Sequence, residues 1–160
     1  MSFLNREIEC MPREELKKLQ SERLCAQIKR CYENVECFRN RMDEAGLTPD
    51  DIRGIEDLHR VPFSYKKDLR DYYPYGLFAE PLSKITRVHA SSGTTGNPTV
   101  ILHTQKDLDE WANAVARCLH MVGLRPGDVF QNSSGYGMFT GGLGFQYGAE
   151  RLGMLTVPAA

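Results

Sequence analysis

Apolar positions recur at mostly helical spacing through the first part of the chain. Leu16, Leu19, Leu24, Ile28, Cys31, Tyr32 and Val35 form one such series. Pro12 stands just ahead of it, where a missing N–H costs a first helical turn nothing. Gly46 is placed to stop the second half of this helical region. Thr48-Pro49-Asp50 starts a further short helix, and Val61-Pro62 breaks the chain again. Ser64 with Asp68 four residues later resembles a helix entry, although a strict capping box would set the acid one residue earlier.

The pattern then changes. Ile85 to Ala90 and Val100 to His103 are short β-type runs on either side of a loop. Asp107 to Val122 carries Leu108, Trp111, Ala112, Val115, Leu119 and Val122 on one stripe, the strongest helical signal in the chain. Gly123 ends it, and Arg125-Pro126-Gly127-Asp128 is turn chemistry. A strand over Asp128 to Asn132, a glycine-rich helix over Thr140 to Leu152 and a strand over Met154 to Val157 follow. The expected class is α/β: an N-terminal helical segment, then βαβ units of an unfinished, mainly parallel sheet.

Composition sharpens this division. Residues 1–70 hold 28 of the 41 charged side chains and two of the 14 glycines, Gly46 and Gly54. The expected organisation is therefore a charged helical segment over 1–70 and the start of an α/β nucleotide- and acyl-binding domain over 71–160. Lys+Arg number 20 against 21 Asp+Glu, which leaves no basic footprint for nucleic acid. No apolar run approaches the roughly 18 residues that span a bilayer. The charged stretch Met1 to Glu15 lacks the pattern of a signal peptide. The five cysteines, Cys10, Cys25, Cys31, Cys37 and Cys118, form no C-x-x-C pair and read as reduced thiols of a cytoplasmic protein. Short-spaced zinc ligands are missing, so no metal site is expected from the residues present.

Two loops carry the candidate chemistry. The first is Ser91-Ser92-Gly93-Thr94-Thr95-Gly96-Asn97-Pro98-Thr99, between the two β-type runs. Small hydroxyl residues and glycines leave backbone amides uncovered, and successive amides can form an anion-binding nest. A triphosphate is the natural guest. The loop is not a Walker A sequence, because Asn97 stands where a lysine would be wanted. The second loop, Asn132 to Gly144, offers Tyr136, Met138 and Phe139 as flat or soft apolar surface among glycines. That suits a pocket for a planar apolar group. Gly135 and Gly137 begin a G-x-G-x-x-G, but Thr140 occupies its last position, so it is no dinucleotide fingerprint. The histidines, His59, His89, His103 and His120, are scattered. His89 precedes the first loop and could orient it, although a structural histidine is the simpler reading. Trp111 lies on the apolar stripe and reads as core.

Ser91-Ser92-Gly93-Thr94-Thr95-Gly96 resembles the phosphate-binding loop of the adenylate-forming, AMP-binding enzymes. Three further stretches make the chain similar to the N-terminal portion of one branch, the phenylacetate–coenzyme A ligases. They are Pro62 to Arg70, Arg87-Val88-His89-Ala90, and Gly135 to Gly142 continuing through Tyr147-Gly148-Ala149-Glu150-Arg151. The resemblance implies a two-step ligation. An arylacetate carboxylate attacks the α-phosphorus of ATP with Mg²⁺ present, and the thiol of coenzyme A then displaces AMP. It implies phosphate contacts from Ser91, Ser92, Gly93, Thr94, Thr95, Gly96 and Asn97, with Thr94 and Thr95 reaching the β- and γ-phosphates. It places Tyr136, Gly137, Phe139, Thr140, Gly141 and Gly142 near the aryl pocket and the adenylate. It also implies a homodimer in phenylacetate catabolism.

The sequence departs from many adenylate-forming enzymes where Thr99 and Val100, not a lysine, follow Pro98. The family's adenine-binding segment, acidic Mg²⁺ ligand, ribose-binding aspartate and C-terminal lysine have no counterpart here. No catalytic residue is therefore assigned, and a chain ending at Ala160 is expected to be an N-terminal fragment, inactive by itself. Two other readings remain at this point. One is a non-catalytic nucleotide-binding or subunit-interaction module. The other is a related enzyme acting on indoleacetate or a hydroxylated phenylacetate.

Overall fold

The structure, a computed structural model, describes residues 3–91 and 98–159. It divides into two compact units, Cys10–Pro81 and a second formed by Met1–Glu9 with Leu82–Ala160.

In the first unit, α2 (Arg13–Asn34) and α3 (Glu36–Glu44) are separated by Val35, which is extended and buried. The periodic series read from sequence lies in α2 up to Tyr32, and its last member, Val35, leaves helical geometry as the extended, buried C-cap that separates α2 from α3. Ile28, Met42, Leu47 and Ile52 form that core, with Leu24, Tyr32, Phe38 and Val61 packed on it. Gly46, at φ +65°, ends α3 as expected. The Gly46 amide bonds the Asp43 carbonyl and the Leu47 amide the Met42 carbonyl at 2.9 Å. This left-handed cap folds Leu47 back onto Met42, so helix termination and core formation are one event. A 3₁₀ turn over Pro49–Asp51 and another over Ile55–Arg60 follow.

The short helix α4 (Asp68–Asp71) begins with Asp68 accepting the Tyr65 amide at 2.7 Å. The capping partner is therefore Tyr65, three residues ahead, rather than Ser64. Asp68 is buried, and both its oxygens meet the Arg41 guanidinium at 2.6 Å. The facing Arg41 guanidinium, then the Tyr65 amide, hold the Asp68 carboxyl at about 2, below its ordinary 3.8. A carboxyl lowered on folding contributes stability above its unfolded pKa and loses it as pH falls through the folded value. Denaturation followed across acid pH should show wild-type stability falling from about pH 4 towards about pH 2. Asp68→Asn should be less stable at neutral pH and show a shallower acid slope, since Asp51 and Glu56 are also lowered. An unchanged acid limb in the variant would refute this assignment.

In the second unit, α1 (Arg6–Glu9) lies ahead of the unit's main part, and Glu9 pairs with Arg117. The first strand pair is β1 (Ile85–Ala90) with β2 (Val100–Thr104), antiparallel, with His89 opposite Ile101 and Ala90 opposite Val100. The second is β3 (Val129–Asn132) with β4 (Leu155–Pro158), parallel, joined through α6 (Thr140–Leu152). The α/β class and the βαβ unit are as expected, but the expectation of a mainly parallel sheet needs correction for β1 and β2. A parallel crossover needs a dozen or more residues. The β1–β2 connection is shorter, so it closes a hairpin. Among the described residues the two pairs form separate two-stranded sheets.

Between them runs α5 (Gln105–Met121), capped at Thr104 by a complete box with Asp107. Gly123, at φ +107°, ends it with the Leu124 amide on the Leu119 carbonyl at 3.1 Å. Ala116 and Leu119 pack with Ala149, Leu152 and Met154, against Val115, Leu124 and Phe130. All five cysteines are free. Among the described residues no helix is long and apolar enough to cross a membrane.

Candidate functional site

The two loops singled out by sequence each leave the C-terminal end of a strand. One follows Ala90 at the end of β1, the other follows Asn132 at the end of β3. Ser92, Gly93, Thr94, Thr95, Gly96 and Asn97 lie outside the described residues. Their neck is described: the Ser91 amide donates to the Thr99 carbonyl at 3.0 Å, and the Thr99 amide donates to Ser91 Oγ at 2.9 Å. The Ser91 hydroxyl thus accepts within the neck and keeps its own proton for a further partner.

A cleft of about 500 Å³ is lined by Ala90, Ser91, Pro98, Met138 and Phe139. Both loops therefore contribute to one cavity. Met138 and Phe139 are 59% and 65% exposed, so their apolar side chains are open to a guest. The second loop is tied to β1 through one carbonyl. Met138 O accepts the Ala90 amide at 2.9 Å and His89 Nδ1 at 3.1 Å.

The other residues expected in the pocket divide. Thr140 and Gly141 line a smaller cavity of about 210 Å³ with Trp111, Val115, Gly144 and Phe145. Tyr136 turns to α6, where its hydroxyl donates to Gln146 Oε1 at 2.9 Å. Gly137 is open, with nothing within 4 Å of an added Cβ. Gly142 is buried in backbone packing, and its carbonyl accepts Asn132 Nδ2 at 2.7 Å. Asn132 Oδ1 in turn accepts the Ser134 amide at 3.1 Å, an Asx turn that redirects the chain out of β3. Asn132 is only 3% exposed, and the sequence reading gave it no role. Its signal was present: an asparagine closing a strand two residues before a turn.

Phe139 occupies the N-cap position of α6 without a side-chain cap. Among the described residues no side chain caps the first amides of the helix, and Gly141 and Gly142 carry no side chain over them. Such a terminus favours negative charge. Behind the cleft stand His89, His103 and Trp111. Trp111 stacks on His103 with centroids 5.4 Å apart and meets His89 edge-on at 5.3 Å. Trp111 is half-buried and lines the smaller cavity, so it is more than the core residue expected from the stripe. Burial, then the neighbouring His89, pushes the His103 imidazole below its ordinary pKa. Two of the sequence stretches meet where the Arg87 guanidinium lies 4.5 Å over the Tyr147 ring.

The cleft thus joins the neck of the hydroxyl- and glycine-rich loop to the apolar side chains of Met138 and Phe139. The solved structures similar to the chain are coenzyme A ligases. A 2-hydroxyisobutyryl-CoA ligase in complex with 2-HIB-AMP and CoA matches at 35% identity and TM-score 0.84, over 92% of this chain and 32% of that one. The same ligase in an open conformation matches at 33% identity and TM-score 0.83. The fold is thus that of the adenylate-forming coenzyme A ligases. No family model matches the chain.

Among curated proteins the relatives are more specific. The phenylacetate–coenzyme A ligase of Thermus thermophilus is 54% identical over 154 residues, 96% of this chain and 35% of that protein. The ligase of Escherichia coli is 51% identical over 94% of this chain, and that of Pseudomonas putida 53% over 89%. Over most of its own length the chain is similar to the N-terminal part of the phenylacetate–coenzyme A ligases, and it spans about a third of the length of these relatives.

Proposed function

We propose that the protein carrying this chain activates phenylacetate, or a similar arylacetate, and transfers it to coenzyme A. The observation that carries the reading is the single cleft lined both by the neck of the hydroxyl- and glycine-rich loop and by Met138 and Phe139. In the first step a carboxylate oxygen bonds to the α-phosphorus of ATP, and the bond from that phosphorus to the bridging oxygen breaks, releasing pyrophosphate. In the second, coenzyme A sulfur bonds to the acyl carbon, its proton is lost, and AMP leaves. The carboxylate is already ionised at neutral pH, so no general base is required for attack. Catalysis then rests on orientation and on stabilising charge spread over the phosphates.

Ser92, Gly93, Thr94, Thr95, Gly96 and Asn97 would contribute amides and hydroxyls to the phosphates, and Ser91 its remaining proton. Met138 and Phe139 would face the aryl group, with Tyr136 and Gly137 supporting the loop. The amides of Thr140, Gly141 and Gly142 would lie towards the anionic adenylate. Mg²⁺ is proposed as the counter-ion that ATP brings. Among the described residues no three His, Cys, Asp or Glu side chains converge, so none is assigned to hold it. A cytoplasmic homodimer working in phenylacetate catabolism remains part of the proposal.

The test is the product nucleotide. The complete protein with phenylacetate, ATP and coenzyme A should give AMP and pyrophosphate; ADP would overturn the reading. Ser92→Ala combined with Thr94→Ala should lower phenylacetate-dependent pyrophosphate exchange by roughly 100-fold or more, as removal of preorganised donors does. Unchanged exchange in that double variant would remove the loop from the site.

A further inference from the structure

The buried ring of His89 has a polar tie that packing does not need. We propose that His89 is a positioning residue: by holding the Met138 carbonyl it fixes the separation of the two loops that line the cleft. The proposal deepens the ligase reading and rests on it.

His89 is 1% exposed, and its Nδ1 lies 3.1 Å from Met138 O. A carbonyl only accepts, so Nδ1 carries a proton in this contact. The ring's Nε2 is buried and has no hydrogen-bond partner among the described residues. A ring kept here for volume alone would be better apolar, because an unpartnered buried nitrogen is destabilising. What the imidazole does make is the bond to Met138. Ser91, two residues further on and just past the end of β1, starts the neck of the other loop. One ring therefore links the apolar wall of the cleft to the strand that launches the phosphate loop.

The ring cannot swing away freely. Trp111 meets it edge-on, and His103 does so from β2 with centroids 5.4 Å apart. Met138 and Phe139 are otherwise exposed, so without this tie the wall hangs from the Ala90 amide alone among the contacts to β1 described above. A reacting group misplaced by about an ångström loses on the order of 100-fold in rate.

The experiment compares His89→Phe with His89→Asn in the complete protein. Phenylalanine fills the ring volume without a donor, whereas asparagine can place an amide N–H near the Nδ1 position. His89→Phe should lower kcat of phenylacetate-dependent pyrophosphate exchange roughly 10- to 100-fold, with KM for ATP changed much less. His89→Asn should restore most of that kcat even if its melting temperature is the lower of the two. Equal loss in both variants, or loss in neither, overturns the proposal. If His89→Phe fails to fold, nitrogen-15 NMR of the wild-type imidazole decides. A proton on Nδ1 protected from exchange supports the tie, and the Nε2–H tautomer overturns it. If the wild type shows no exchange with any arylacetate, the ligase reading fails instead, and the NMR result still decides the contact.

Discussion

Gly142→Ala is expected to destabilise the protein and to lower adenylate formation by roughly 10- to 100-fold, the loss typical of a misplaced reacting group. Helix propensity predicts the opposite sign, since alanine in a helix interior is favoured over glycine by about 0.5–1 kcal/mol. The structure decides against propensity. A Cβ at Gly142 would sit 2.4 Å from the Gly135 carbonyl oxygen and 3.0 Å from that of Ser134. Both neighbours are backbone, so no side chain can rotate out of the way. The loop must move from α6, or the start of α6 must move from the loop. The first strains the Ala90 and His89 bonds to Met138; the second strains the bond from Asn132 to the Gly142 carbonyl. Overpacking of this kind costs about 1–3 kcal/mol. Thermal denaturation and pyrophosphate exchange of the variant check both parts. Gly137→Ala, with open space around its Cβ, is the stability control and should melt with the wild type. Equal melting of Gly142→Ala and Gly137→Ala would show that the loop does not bear on α6.

Gly148→Ala is the second large effect, and it acts on the packing of two helices. Its Cβ would lie 2.2 Å from Val115 Cγ1 and 2.5 Å from Val115 Cβ, where α6 crosses α5. Gly144, one turn earlier, stands against the Trp111 ring in the same way, at 2.5 Å from Cζ2. The two glycines share a face, and that face lets α5 approach closely enough to bury Ala116 and Ala149 completely. Gly148→Ala should cost about 1–3 kcal/mol, and Gly148→Val more, since the added methyls have no void to enter. The cause is a single side chain, so Val115→Ala should recover part of the loss. In a denaturation cycle the two substitutions should be less destabilising together than their separate effects sum to. Strict additivity would place the cost elsewhere.

Most of the local structure could be read from the chain. Gly46 and Gly123 end helices where the periodic pattern stops, because only glycine takes the left-handed cap without strain. Thr140 to Leu152 is a helix as the pattern indicated, and the turn after Leu124 follows its residues. Val35 was misread because a β-branched apolar residue fits a helical stripe as well as an extended core position. Its burial is set by tertiary packing, which local periodicity does not see. The pairing of β1 with β2 was legible and was missed. The connection between them is too short for a parallel crossover, whatever the residues in it favour.

The two loops that border the cleft were legible in the chain. The order of residues in the loops from Ser91 and Asn132 marked them as amide-rich and apolar-rich, and the glycines marked where backbone must come close. Those are local properties, set by side-chain volume, hydrogen-bonding capacity and backbone freedom at each position. Which residues share a cavity was decided only by the tertiary structure. It set Met138 and Phe139 beside Ser91, moved Tyr136 to Gln146, buried Gly142 against Gly135, and placed His89 under the Met138 carbonyl. The contacts of Met138 with the end of β1 join segments far apart in sequence through hydrogen bonds and close packing. No local pattern records which two distant segments will meet.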